Sequence, residues 1–363
     1  MATPVVAPRY RGYGRLMLAY QMVQWQQEPE LREVEVPEPG PGQVLLKVGG
    51  AGACHSDLHV AEWPEGALPY TLPFTLGHEN AGWVEKVGPG VEGFAEGDAV
   101  AVYGPWGCGR CIACRRSEEN YCERAAEIPY HGGGLGRDGG MAEYMLVPSP
   151  RLLIPLGDLD PRDAAPLSDA ALTPYHAIKR SLPLLGAGST AVVIGVGGLG
   201  HMAVQILRAL TGSRIVAVDA SEQALALARE VGADETVAAG PDAADRIREL
   251  TRGLGANVVL DVVGADDTIA LAASVARVGG HMTVIGLAGG TLTWTAMGAL
   301  PWACSLTSTY WGSAVELAEV LELARRGQIR AHTQRFTLEQ APEAYRAMRE
   351  GRLQGRAVIC PNG

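Results

Sequence analysis

A two-part α/β fold, in which a barrel-like β domain is joined to a doubly wound parallel sheet, is predicted by three observations in this 363-residue chain. Short β-like runs divided by Gly and Pro fill its first part. Strands alternate with helices after Pro161, and a glycine-rich turn separates the first strand of that alternation from its first helix. The length exceeds what one ordinary core absorbs, so two domains are expected.

From Met17 to about Val147 the runs Val44–Val48, Gly82–Val87, Ala99–Val102 and Ala142–Val147 are strand-like, and helical periodicity is scarce. Beyond Pro161, Ala191–Ile194, Ile215–Asp219, Val258–Val262 and Met282–Gly286 read as strands, with helices over Leu199–Leu210 and Glu222–Val231. Cys304–Tyr310 offers a last strand and Val315–Arg326 a regular helix, and Gln354–Cys360 returns to strand character. Residues 1–16, with their clustered arginines and tyrosines, form an extension ahead of the first strand and hold no apolar stretch suited to a secretory signal. Ala191–Leu207 is apolar enough to suggest a membrane span, but Gly195, Gly197, Gly198, Gly200 and His201 interrupt it, and strand-turn-helix explains it better.

Thirty Lys and Arg stand against 40 Asp and Glu, a formal charge of −10. Such a chain repels phosphate backbones, which argues against nucleic acid or an anionic membrane as partner. A soluble, cytoplasmic protein is expected.

Four cysteines fall in one short stretch, Cys108-x2-Cys111-x2-Cys114-x7-Cys122. Thiolates so spaced can converge on one tetrahedral zinc, and four protein ligands leave it no open position, so this site is structural. The alternative is a disulfide pair or scattered core thiols, which this clustering fits poorly. Cys54, Cys304 and Cys360 remain as thiols in a reducing compartment.

Gly195-Val196-Gly197-Gly198-Leu199-Gly200 follows a strand and opens a helix, the context in which glycines let the backbone turn sharply and approach a dinucleotide diphosphate at a helix N-terminus. Asp219 ends the next strand, where a carboxylate accepts from both ribose hydroxyls and repels a 2′-phosphate. NAD is thus favoured over NADP, the alternative being that Asp219 is a surface acid. Upstream, Cys54-His55-Ser56-Asp57-Leu58-His59 and Gly77-His78-Glu79 gather groups that bind metals or move protons. A catalytic zinc needs three protein ligands and one vacancy; Cys54 and His78 supply two.

With these segments in this order, the chain resembles the zinc-dependent alcohol dehydrogenases of the medium-chain dehydrogenase/reductase superfamily, from Met17 to Pro361. Tyr103-Gly-Pro-Trp-Gly-Cys108 and Tyr310-Trp311-Gly312 look like the bacterial secondary alcohol dehydrogenases and phenylacetaldehyde reductases. The resemblance implies a GroES-like catalytic domain over residues 1–168 with a zinc lobe at about 104–124, a Rossmann NAD-binding domain over 169–308, and a segment 309–363 that completes the catalytic domain. The active site would lie in the cleft between the domains.

The resemblance also implies two zinc ions per subunit and puts the third catalytic-zinc ligand on Asp169, where many relatives have cysteine. Glu79 matches an acid behind the metal, and Asp57 is placed to orient His78. Ser56 matches the hydroxyl that takes the alcohol's proton; His59 either finishes the relay to solvent or lines the pocket. His55 and Arg356 match diphosphate contacts, and Leu199 and Val263 are further cofactor positions. Asn80 departs from the usual glycine; if that glycine serves a left-handed backbone position, Asn is its least costly substitute and little functional change is expected.

Tyr103, Trp106, Tyr310 and Trp311 are the candidate pocket lining, or else they pack a junction or interface. The implied activity is NAD-dependent oxidation of secondary alcohols, aryl-alkyl ones included and the (S)-alcohol preferred, with ketone reduction in reverse, by a homo-dimer or homo-tetramer. A polyol or threonine dehydrogenase, or a non-catalytic structural or regulatory member, is the alternative.

Overall fold

The computed structural model describes residues 9–11, 14–295 and 297–363, and packing divides the chain into two compact units. One comprises Met1–Ser168, Arg335–Arg352 and Ala357–Gly363; the other comprises Asp169–Gln334 and Leu353–Arg356. Of the expected extension, positions 1–8, 12 and 13 lie outside the described residues. Arg9–Arg11 is not a free extension but a short strand paired antiparallel with the start of Gly14–Met22.

The first unit is built on β-sheets. Val44–Gly52 is the hub, pairing antiparallel with Glu79–Val87, Tyr144–Val147 and Arg356–Ile359. Both of its edges are paired, which satisfies its backbone groups, and it is buried along nearly its whole length. Ala99–Val102 and Leu153–Pro155 extend the sheet beyond Glu79–Val87. A smaller sheet contains Gly14–Met22, Glu30–Glu35 and Phe74–Thr75. Two paired strands of the larger sheet lead to candidate site residues: Val44–Gly52 runs into Cys54, and Glu79–Val87 starts directly after His78.

The second unit is a six-stranded parallel sheet in the order Glu235–Ala238, Arg214–Asp219, Thr190–Ile194, Ala256–Asp261, Ala276–Val284, Ser305–Ser308. Every residue of the central Thr190–Ile194 is buried. Val192, Ile194, Val216 and Val218 pack with Ile247 of helix Ala243–Leu250 and with Ile269, Ala272 and Val275 of helix Asp266–Val275. Strand order reverses direction at Thr190–Ile194, the point where crossover connections diverge and leave a crevice at the strand ends. The short, largely polar strand Glu235–Ala238 escapes a search for apolar runs because it is a sheet edge.

The C-terminal segment does not divide at 309 as expected. Residues up to Gln334 pack with the second unit, because helix Ala314–Arg325 is tied to helix Leu172–Ser181. Buried His176 Nδ1 meets Glu316 Oε2 at 2.8 Å, and Tyr175 Oη donates to Glu319 at 2.9 Å. Glu316 also accepts from the Ser313 amide at 2.8 Å. Burial pushes this carboxyl up, but the hydrogen bonds from His176 and Ser313 outweigh that and hold it below the usual range.

Candidate metal centres and nucleotide loop

The four clustered cysteines converge. Their sulfurs all lie within 4.8 Å of one another, with contacts of 3.4 Å (Cys111–Cys114), 3.9 Å (Cys108–Cys114) and 4.0 Å (Cys111–Cys122). Four sulfurs about 2.3 Å from one zinc would be separated by about 3.8 Å, so the group fits a tetrahedral ion. Backbone amides of Cys108, Cys111 and Cys114 point at Cys122, Cys108 and Cys111 sulfurs at 3.3–3.5 Å, a donor set suited to thiolates. These influences conflict without a cation. The Arg110 amide foremost brings Cys108 down to about 6, and the Cys114 amide lowers Cys111, while burial pushes Cys114 and Cys122 up. A divalent ion at the centre removes the conflict by stabilising all four thiolates.

The second metal-capable group among the described residues is Cys54, His78 and Asp169, whose ligand atoms also lie within 4.8 Å of one another. Cys54 is the extended N-cap of helix His55–Glu62, and Asp57 three residues on accepts the Cys54 amide at 2.9 Å. His78 leaves the left-handed turn at Gly77, and its Nδ1 donates to Asp57 Oδ1 at 2.9 Å, leaving Nε2 as its ligand atom. Asp169 reaches the cluster through its peptide bond to Ser168, and Thr173 Oγ1 donates to its Oδ1 at 2.5 Å. Three buried protein ligands, with no fourth in the group among the described residues, fit a zinc that keeps an open coordination position.

Asp57 is wholly buried, and Tyr345 Oη on helix Ala341–Arg349 donates to its Oδ2 at 2.7 Å. Burial alone would raise this carboxyl. His78 and the Cys54 and Tyr345 donors outweigh it, so Asp57 is held below the usual range, and Tyr345 is pushed well above that of a free phenol. Sequence reasoning missed Tyr345, since nothing in its local pattern separates it from a core aromatic 288 positions from Asp57.

On the same short helix, Ser56 Oγ lies 3.5 Å from Cys54 Sγ, and His59, one turn on, is half-buried like Ser56. His55 is exposed. Glu79 is fully buried opposite Gly52, where a Cβ would sit 1.8 Å from its Oε2; the bare glycine makes room for the acid. Asn80 corrects the expectation of left-handed backbone, for it lies in the extended strand Glu79–Val87 and is absent from the positive-φ residues. Its amide instead donates to the Gly77 carbonyl at 2.8 Å.

In the second unit, Gly195 takes φ +89 after strand Thr190–Ile194, and a Cβ on Gly200 would fall 1.8 Å from the Gly195 carbonyl oxygen. Gly197 has nothing within 4 Å of its would-be Cβ. Leu199 gives helix Gly200–Leu210 no side-chain cap, and the His201 amide donates back to the Gly197 carbonyl at 3.2 Å; the positive end of a helix dipole at such a glycine turn favours an anion. Asp219 is tied to the loop: Oδ2 accepts from the Val196 amide at 2.7 Å and Oδ1 from the Ser221 amide at 2.8 Å. Exposed Val263 donates its amide to buried Asp261 at 3.0 Å. Buried Arg356 lies against the loop, Nη1 2.6 Å from a would-be Cβ on Gly198, with Nη2 3.8 Å from Asp169 Oδ2.

The four aromatic candidates separate into two pairs. Tyr103 has no exposed surface and Trp106 almost none; Trp106 Nε1 donates to the Tyr103 carbonyl at 3.0 Å, so both are packed within the first unit. Tyr310, partly exposed, and buried Trp311 meet edge to face with ring centroids 5.5 Å apart in the second. Trp311 holds φ +52, a strained geometry for so large a residue.

Comparison with known proteins places these features in a family. The alcohol dehydrogenase GroES-like domain profile matches residues 40–158, and the zinc-binding dehydrogenase profile matches 198–326. D-arabinose 1-dehydrogenase (NADP(+)) of Saccharolobus solfataricus is 36% identical over 334 residues, 91% of this chain and 94% of that one. An NAD-dependent alcohol dehydrogenase of Sulfurisphaera tokodaii is 35% identical over 95% of this chain and 100% of its own. The crystal structure of an Aeropyrum pernix alcohol dehydrogenase superposes with a TM-score of 0.87 at 35% identity, covering 95% of this chain and 100% of that one. Acetophenone reductase from Geotrichum candidum in complex with NAD gives 0.82 at 31%, covering 95% and 99%.

Two outcomes are expected. Graded chelation should remove one zinc readily from the three-ligand group and a second only slowly from the closed cysteine cluster, with loss of activity tracking the first; one ion per subunit with full activity would overturn the assignment. Tyr345→Phe should weaken metal binding at Cys54, His78 and Asp169 about tenfold, measured by chelator competition with Co2+, because Asp57 loses the donor that steadies it against His78.

Proposed function

The chain belongs to the zinc-type medium-chain alcohol dehydrogenases, and from that premise we propose that it uses NAD to oxidise secondary alcohols, aryl-alkyl ones included, and reduces ketones in reverse. The observation that carries this reading is the cluster of Cys54, His78 and Asp169, three ligands that would leave a tetrahedral zinc one position for a substrate oxygen.

When bound, zinc would supply Lewis acidity to that oxygen and NAD would supply the hydride acceptor for the carbinol carbon. The chain does the rest. Ser56 takes the hydroxyl proton, and His59, three residues on and therefore on the same helix face, carries it toward solvent. Asp57 holds the His78 ring, with Glu79 behind it. Asp169 donates less charge than a cysteine thiolate would, which leaves the metal more electrophilic. Asp219 binds the adenosine ribose, and His55, Arg356 and the loop amides bind the diphosphate.

Tyr310 and Trp311 offer apolar area to the larger substituent. The similarity to D-arabinose 1-dehydrogenase favours a second reading, oxidation of an aldose. Strand Ser305–Ser308 is an edge of its sheet, and Trp302 and Leu306 are exposed there, which supports association into a homo-dimer or homo-tetramer. None of the seven cysteines is in a disulfide, in keeping with a cytoplasmic setting. Among the described residues no helix is long and apolar enough to cross a membrane.

Comparing kcat/KM for ethanol, 2-butanol, both 1-phenylethanol enantiomers and D-arabinose tests the substrate. The aryl-alkyl secondary alcohol should lead, with the (S)-enantiomer ahead, since each apolar group seated in a dry pocket contributes about 1–3 kcal/mol of discrimination. Preference for ethanol or D-arabinose overturns the secondary-alcohol reading. Replacing Asp219 with Gly and Ala220 with Arg should raise NADP use and depress NAD use; a wild-type preference for NADP would refute the role given to Asp219.

A further inference from the structure

Helix Gly200–Leu210 carries two side chains, one turn apart, that grip the backbone of a distant segment. Gln205 exchanges two hydrogen bonds with Arg330: its Oε1 accepts from the Arg330 amide at 2.9 Å, and its Nε2 donates to the Arg330 carbonyl at 3.0 Å. His201, wholly buried, acts one turn earlier. Its Nε2 accepts from the His332 amide at 3.1 Å, and its Nδ1 donates to the Gly197 carbonyl in the glycine loop at 2.9 Å. These partners define one tautomer, with the proton on Nδ1 and a neutral ring, since Nε2 has to accept. Burial, opposed by the Gly197 carbonyl and aided by the Arg356 charge, brings the imidazole down to about 4, which agrees with that state.

From His332 the connection continues to the chain's tail. The His332 carbonyl accepts from the Arg356 amide at 2.8 Å. Gly355, at φ +74, permits this approach, because a Cβ there would sit 2.1 Å from the His332 oxygen. The Arg356 guanidinium then ends against Gly198. Hydrogen bonds thus run from the Gly197 carbonyl through His201 and the N–H and C=O of His332 to Arg356, whose guanidinium packs against Gly198 in the same loop.

We propose that His201 is a positioning residue for the dinucleotide: through the His332 backbone it registers Arg356 against the glycine loop, so that guanidinium and loop amides meet the diphosphate in one fixed geometry. The inference rests on the reading of this loop as the NAD site. A histidine suits the task because a rigid ring offers a donor and an acceptor on different edges. Aliphatic residues of similar size fill the space but transmit nothing.

The test uses zinc-loaded enzyme and three probes: NADH, ADP-ribose, and adenosine, which lacks the diphosphate. His201→Ala should weaken NADH and ADP-ribose about tenfold, as expected for a lost hydrogen-bonded link to a charged contact, and leave adenosine unchanged. In an Arg356→Ala background the same substitution should add little, because the path it serves is already cut. His201→Leu, which keeps the volume, gives the same comparison if His201→Ala does not fold. Unchanged dissociation constants, equal weakening of adenosine, or a full further loss without Arg356 would overturn the inference. Wild-type protein that binds neither NADH nor ADP-ribose overturns the cofactor reading and this inference with it, whereas intact wild-type binding with an unaffected variant overturns the inference alone.

Discussion

The first unit is organised around the carboxylate of Asp57. It is taken wholly out of water, and that loss is tolerable only because three donors face it: the Cys54 amide, the His78 ring and the Tyr345 hydroxyl. Those donors come from a helix start, a strand start and a helix near the C-terminus. One buried charge therefore sets the direction of two candidate metal ligands and ties the tail of the chain to them. Removing any donor would leave a desolvated anion short of partners, which is why the arrangement is stiff.

The second unit uses acids in a similar way, at the C-terminal ends of its parallel strands. Asp219 draws the glycine loop onto its own strand through the Val196 amide, and buried Asp261 gathers the Val263 and Gly264 amides and the Thr268 hydroxyl. Each carboxylate satisfies backbone donors that a tight turn leaves unpaired. The loops at the crevice are thus shaped before a ligand arrives, and preorganised amides cost less to present to an anion.

The two metal-capable groups differ for a physical reason. Four thiols packed at 3.4–4.0 Å cannot all ionise without a cation among them, so that lobe depends on its metal for electrostatic balance. Cys54, His78 and Asp169 are three ligands rather than four, and hydrogen bonds at the Cys54 amide, the His78 ring and the Asp169 carboxylate steady them. A closed site of four protein ligands serves stability, whereas an open one retains the position that chemistry requires.

The parts legible in the sequence were those written in local spacing. The cysteine run, the glycine loop after its strand, the Cys54–His59 segment with its metal- and proton-handling groups, and the alternation of strands and helices each depend on residues within a few positions of one another, where chain geometry leaves little choice; that Asp57 caps the helix at Cys54 came from the structure. Asp169 was reached only by resemblance, because its spacing to Cys54 and His78 carries no periodic signal. What tertiary structure alone decided were the long-range contacts: Tyr345 on Asp57, His332 on His201, Arg356 against Gly198, and helix Ala314–Arg325 held to the second unit by His176 and Glu316. It also decided that Tyr103 and Trp106 are packed inside their unit and that Asn80 lies in extended backbone. Local spacing constrains which groups can meet when few torsions separate them. Across hundreds of residues the meeting is fixed by the packing of whole sheets and helices, and no short pattern in the chain records it.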